Sequence, residues 1–260
     1  MNDSNFDWER IECFKGYGRY DAPIVFIGSE EGFAPPKDCS QKILADVLHN
    51  DLYARSRFPL DLMDAEVAHR SLYNGPALFA DKPRQQRTWH VMSGLMIAYE
   101  GRTYATEKER GALMTWYRSK RLGRSDGDTL LMELLPYPHT GRKNWFYGEF
   151  GRFTTRADYE KAIIPQRIEL LRGVLESAPH KAIICYEKGK PEYGKFETWE
   201  RYKRLFPEAQ WREVGPMLLA EWRGARVMLT NHLWTLYSWA ERNQLARIAL
   251  GDLHSENTAA

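Results

Sequence analysis

The chain has 260 residues, enough for one large α/β domain with a sizeable core, and its 37 basic and 35 acidic side chains leave a formal charge of only +2. A nucleic-acid surface here is a local patch and not a global field, and the nine Trp, 14 Tyr and 11 Phe suit base stacking and core packing alike. Cys13, Cys39 and Cys185 match no zinc or iron–sulfur spacing and read as free thiols of a reducing cytoplasm. The polar N-terminus lacks a signal-peptide pattern, and no stretch approaches the roughly 18 apolar residues of a membrane span.

Residues 1–21 form an extension with an amphipathic start, Phe6, Trp8, Ile11 and Phe14, followed by KGYGRYD. Gly16 and Gly18 precede a strand, whereas a dinucleotide fingerprint follows one, so they are excluded as a phosphate loop. Ile24-Val25-Phe26-Ile27 is a continuous β-branched and aromatic run, the pattern of a strand buried on both faces. Gly28 allows a sharp exit, and Ser29 to Pro36 then set Glu30, Glu31 and Phe33 on a tight loop at the carboxyl end of that strand, where open α/β sheets place ligands. Alone, an acidic pair after a strand fits a solvated turn better than a site, and it gains weight only if other strand ends converge on it.

Ser40 caps an expected helix through Ile43, Leu44, Val47 and Leu48, and Leu60, Met63 and Val67 mark a second apolar-periodic piece. Lys82, Arg84 and Arg87 then lead into Thr88, the expected cap of a helix through WHVMSGLMIAYEG; that arrangement suits a phosphate clamp or a solvated loop. A helix from Glu107 to Lys120 runs into Arg121 and Arg124, the densest positive patch in the chain. A second strand, Thr129 to Met132, ends at Glu133 and continues into a loop holding Tyr137, Arg142 and Lys143. A crossover helix over Gln166 to Ser177 precedes a third strand, Lys181 to Tyr186. A helix from Thr198 to Phe206 leads to a fourth strand, Arg226 to Thr230, which ends in Asn231-His232-Leu233-Trp234. A helix from Thr235 to Leu250 and a frayed tail at 255–260 complete a single domain without repeats. Strand, helix, strand order implies parallel pairing, hence a three-layer α/β/α fold around a mainly parallel four-stranded sheet.

Three strands thus finish in Gly28-Ser-Glu-Glu-Gly32, in Glu133-Leu-Leu-Pro-Tyr137 and in Asn231-His-Leu-Trp234, on one edge of a parallel sheet. This layout resembles the uracil-DNA glycosylase superfamily, over roughly 22–250. In that family a strand-end Gly-x-Asp/Asn-Pro-Tyr/Gly loop carries the water-activating residue, a later strand carries a base-reading Asn, and a His-Pro-Ser-type loop supplies a histidine and a wedge. The resemblance puts Glu30 in the catalytic slot, with Glu31 where proline is usual and Gly32 where glycine or tyrosine is; loss of the proline leaves the two glutamates as a pair. It puts Glu133 at the reading asparagine and His232 at the histidine, with Leu233 and Trp234 in place of proline and serine.

A carboxylate at the reading position can only accept, so it suits the exocyclic amine of a cytosine and not uracil. The resemblance therefore implies a DNA glycosylase acting on a modified cytosine, such as a hydroxymethylated or glucosylated base of phage DNA, in bacterial defence. Glu30 or Glu31 stabilises the oxocarbenium-like sugar and orients water, and His232 donates to the departing base. Glu133 and Asn231 read the base, Phe33 or Tyr137 stacks on it, and Leu233 or Trp234 fills the vacated space. Lys82, Arg84, Arg87, Arg121, Arg142 and Lys143 contact DNA. The expected protein is a cytoplasmic monomer with DNA as partner, no membrane, and no metal or organic cofactor. The alternatives are a repair glycosylase for uracil or damaged bases, a non-catalytic nucleic-acid-binding module, and a small-nucleoside N-ribohydrolase.

Overall fold

The structure is a computed structural model that describes residues 7–32, 61–62, 87–139, 145, 147–150, 152–187, 195–233 and 238–250. In chain order the elements are α1 (Trp8–Glu12), β1 (Tyr17–Gly18), β2 (Ile24–Gly32), α2 (Arg87–Tyr99), α3 (Glu107–Lys120), β3 (Thr129–His139), α4 (Arg156–Glu176), β4 (Ala182–Glu187), α5 (Lys195–Lys203), β5 (Arg212–Val214), β6 (Met217–Trp222), β7 (Ala225–Asn231) and α6 (Trp239–Leu250). The expected helices at residues 40–48 and 60–67 and the tail at 255–260 lie outside the described residues or barely touch them.

The apolar run at Ile24 to Ile27 forms the centre of the sheet, fully buried between β3 and β4. The fold is α/β, but its sheet is larger than the four parallel strands expected: seven strands in the order β1-β3-β2-β4-β7-β6-β5. The inner four, β3-β2-β4-β7, are parallel, and β1, β6 and β5 add antiparallel edges. Alternate residues of the central strands face two helical layers. Val25, Ile27, Met132 and Cys185 pack with Tyr159, Ile163 and Leu171 of α4, whereas Ile24, Phe26, Ile184 and Tyr186 pack with Leu95 of α2, Met114 of α3 and Ala246 of α6.

Several boundaries differ from the sequence expectation, each for a physical reason. α4 begins ten residues before Gln166, because Tyr159, Ile163 and Ile164 are buried against the sheet and that packing outweighs Pro165, which sits exposed inside the helix. β3 runs through Pro136 and Pro138 to His139, since β1 pairs only with Leu130 and Leu131 and leaves the rest of that side as an edge, where proline is tolerated. β2 likewise continues through Glu30 to Gly32, so the acidic pair lies on the strand's last residues and not on a loop. The β6–β7 hairpin turns at Arg223 and Gly224, both at positive φ, 49° and 80°; arginine there masks the Asn-Gly or Asp-Gly signature of such turns. Gly16 and Gly18 serve the edge pairing: a Cβ at either would lie 2.2 or 2.1 Å from a carbonyl oxygen of β3.

A fully buried arginine ties these pieces together. Arg167 of α4 donates to the carbonyls of Glu12 (3.0 Å), Phe14 (2.6 Å), Glu133 (2.7 Å) and Leu134 (3.2 Å). These acceptors belong to the N-terminal segment and to β3, so one guanidinium joins α1, α4 and the sheet. Arg167→Met should therefore lower the unfolding free energy by at least about 3 kcal/mol, because the lost charged hydrogen bonds leave buried carbonyls unpartnered. Arg167→Lys should recover little of this, since one ammonium cannot span the fork of acceptors; urea denaturation of both variants measures the difference.

Candidate functional site

The carboxyl ends of the parallel strands form the candidate site. β2 lies between β3 and β4, so chain order reverses at its carboxyl end, the switch point where α/β sheets open a ligand crevice. Gly28 is opposite Glu133 in the register, and two residues back Phe26 and Leu131 both face the α2, α3 and α6 layer, so Gly28 and Glu133 face it too. The Glu133 carboxylate occupies the space that a side chain at position 28 would fill: a Cβ there would lie 2.2 Å from Oε2. Glycine at 28 is needed for this close approach and not for a sharp exit.

Tyr186 of β4 and His232 after β7 complete this side. The Tyr186 hydroxyl is hydrogen-bonded to the Glu133 carboxylate, and burial with that carboxylate and Glu187 nearby pushes its pKa well up, so it stays a donor. The His232 ring meets the Tyr186 ring edge-on at 5.5 Å. Tyr186 is itself held from below by Tyr202, whose hydroxyl donates to the Tyr186 carbonyl at 3.0 Å. Tyr186 therefore touches both Glu133 and His232 and links acceptor, phenol and imidazole in one row.

Glu30 reaches the same edge but turns to the other side. The β2–β3 register shifts between Glu30 and Gly32, and Glu30 accepts from Arg156 in the first turn of α4 at 2.8 Å. Arg156 also holds Glu160 at 2.7 Å, which in turn accepts from Arg201 at 2.9 Å. Desolvation raises the Glu30 pKa more than Arg156 lowers it, whereas the two arginines beside Glu160 hold its carboxyl below the usual range. Glu187 of β4 stands opposite Asn231 of β7, whose Oδ1 is buried without a hydrogen-bond partner. The backbone of Glu31 is in β2; its side chain is outside the described residues, as are Phe33, Lys82, Arg84, Arg142, Lys143 and Trp234.

Three expected roles are corrected. Tyr137 is 1% exposed, stacks on Tyr159 at 4.6 Å, meets Tyr147 at 4.7 Å and donates its hydroxyl to Glu12 at 2.6 Å, so no ring face is open to a base. Leu233 is fully buried among apolar side chains, so it is no wedge. Arg121 sits at the opposite, amino-terminal edge of the strands and pairs with Asp128 just before β3; Arg124 pairs with Asp61 and Arg118 is buried, so the positive patch read from the sequence is partly neutralised and lies away from the candidate site. Arg87 is exposed, as the first residue of α2. Tyr186, Glu187, Arg156 and Glu160 were not singled out by sequence reasoning. The Tyr-Glu ending of β4 and the i, i+4 spacing of Arg156 and Glu160 were the available signals.

Among the described residues no cluster of His, Cys, Asp and Glu could hold a metal ion, and no helix is long and apolar enough to cross a membrane.

Gly28→Ala should push the Glu133 carboxylate aside and leave the fold standing, because the obstructing atom ends a flexible side chain. Urea denaturation should show a loss of about 1–3 kcal/mol, because a buried phenol loses its partner, while the Tyr186 phenol, freed of the carboxylate, should titrate lower in a spectrophotometric titration. Glu30 holds its proton more tightly folded than unfolded. Stability should therefore fall as pH rises from the ordinary glutamate range through the raised Glu30 pKa. Glu30→Gln should remove that portion of the pH profile in urea melts, and a profile identical to the unsubstituted protein's would refute the assignment. Compared with protein-family models, curated proteins and solved structures, the chain finds no match.

Proposed function

We propose that the protein is a nucleic-acid N-glycosylase that hydrolyses the N-glycosidic bond of a base turned out of the stack, with a modified cytosine as its target, in a uracil-DNA glycosylase-like arrangement of the four parallel strands. The observation that supports this reading is the Glu133 carboxylate lying over Gly28 at the sheet's switch point, beside Tyr186 and His232. An ionised carboxylate held by a phenol is a fixed acceptor for an exocyclic amine. His232, edge-on to the Tyr186 ring, would donate to a base leaving with negative charge. Tyr186 is a positioning residue: it aims the carboxylate and separates it from the layer below.

The sugar at such a base develops oxocarbenium character, which a carboxylate stabilises. Glu30, at the same strand ends and incompletely neutralised by Arg156, suits that role and the orientation of water. In this reading the base-reading and water-activating carboxylates are two separate groups, Glu133 with Tyr186 and Glu30 with Arg156.

A second reading is favoured by a specific observation. Arg121 faces the wrong edge and Arg118 is buried, which shrinks the basic surface that a long DNA strand needs. A nucleotide N-ribohydrolase using the same carboxylates would not need it.

The deciding experiment is a panel of duplex and single-stranded DNAs carrying natural and modified cytosines, alongside free nucleosides and nucleotides, scored by the mass of released base. Base release from modified-cytosine DNA is expected, with Glu133→Gln and Glu30→Gln each lowering kcat/KM at least about a hundredfold while binding persists. Release from free nucleotides alone would select the second reading. Release from no substrate, by a protein that binds DNA, would discard both in favour of a non-catalytic module.

A further inference from the structure

The amino-terminal edge of the sheet, opposite the candidate site, carries a cavity. α4 begins at the carboxyl edge, where Arg156 meets Glu30, and its last turn returns to the amino-terminal edge. There His180 precedes β4, and the β6–β7 hairpin turns back into the sheet. Between these pieces lies a cavity of about 260 Å³, lined by Leu175, Glu176 and Ser177 at the helix end, by His180, and by Trp222 and Arg223 of the hairpin. Sites for drug-sized ligands run to ~300–1,000 Å³, so this one takes a smaller molecule.

Its apolar floor is buried: Leu175 is 2% exposed and Trp222 6%, with the Trp222 ring set against Phe206 at 5.3 Å. The polar groups are weighted toward acceptors. His180 is buried, and its Nδ1 lies 2.7 Å from the Ala22 carbonyl, which can only accept, so Nδ1 carries the proton. In the neutral ring Nε2 is then an acceptor, and it is buried with no hydrogen-bond partner among the described residues. Ser177 spends its amide and its hydroxyl hydrogen on the Val174 carbonyl, at 3.1 and 2.7 Å. The last carbonyls of a helix carry the negative end of its dipole, and Glu176 adds a carboxylate beside them.

Arg223 is the cation that faces these groups. It lies over the Trp222 ring at 5.5 Å and pairs with Glu176 at 3.3 Å, while its side chain stays 60% exposed. Its backbone is left-handed at φ 49°, where asparagine or glycine fits better, so the turn itself gives no reason for arginine. The guanidinium, held on an aromatic ring and a carboxylate, makes the contacts that a bound organic cation makes. We infer that the cavity binds a small organic cation, a primary ammonium or guanidinium on a short apolar stem. The stem lies against Leu175 and Trp222, and the N–H groups are shared between the Glu176 carboxylate and His180 Nε2. Arg223 is the ligand's internal competitor and gives up Glu176 and Trp222 when the ligand enters.

The test is an NMR titration of the full chain with butylammonium, following the His180 ring nitrogens and the Trp222 indole, beside 1-butanol as an uncharged probe of similar size. Butylammonium should shift both groups saturably and bind at least about tenfold more tightly than butanol. Glu176→Gln should weaken it about tenfold, through the loss of a charge-assisted hydrogen bond. Arg223→Asn should tighten it about fivefold, because an exposed ion pair and a cation–π contact no longer compete. Asparagine also suits the turn, so this variant keeps the fold. No saturable shift, equal binding of butanol, unchanged binding in Glu176→Gln or weaker binding in Arg223→Asn overturns the proposal. Neither probe has a glycosidic bond and the cavity lies at the edge opposite Glu133, so this result is independent of base release.

Discussion

The guanidinium of Arg167 is the constraint on which the rest of the architecture depends. It is fully buried and donates to four backbone carbonyls. Two of those carbonyls, of Glu133 and Leu134, fix the height at which β3 leaves the core. The other two bring in the N-terminal segment, whose Glu12 then accepts from Tyr137 and Arg152. The same interaction thus orders the aromatic cluster on one face and sets the position from which the Glu133 side chain crosses to the other. A salt bridge here would hold one partner; carbonyls from two segments hold three elements at once.

With β3 fixed, the absence of a side chain at Gly28 decides what the sheet edge can do. The space between neighbouring parallel strands is normally filled by side chains of both; here one contributes nothing and the other a carboxylate. Burial beside Tyr186 makes that carboxylate a directed acceptor and keeps the phenol protonated. On the opposite side the chain Glu30, Arg156, Glu160 and Arg201 alternates in charge, so each group is offset by its neighbour and Glu30 alone is left at the end nearest the strand tips. One edge therefore carries two acidic centres with different environments, the condition under which two carboxylates take two roles.

Sequence patterning found the central strands because β-branched and aromatic runs buried on both faces have few other readings, and the bounds it set for α3 agree with the structure, where Thr106 and Glu109 form a reciprocal capping box. It stopped too early wherever a local breaker met a tertiary override: at Pro165 in α4, at Pro136 and Pro138 in β3 and at Gly28 in β2. It also took charge density for exposure. Arg118, Arg121 and Arg124 are adjacent in the chain, yet one is buried and two are spent on Asp128 and Asp61.

The sequence by itself determined the α/β class, the identity of the inner strands and the delivery of Glu30, Glu133, Asn231 and His232 to their carboxyl ends, because these follow from periodicity and from the parallel order that crossover helices enforce. Only the tertiary structure decided which of those groups meet. Side-chain direction depends on pleat and packing between segments distant in sequence: Glu30 meets Arg156 at the start of α4, while Glu133, opposite Gly28, meets Tyr186.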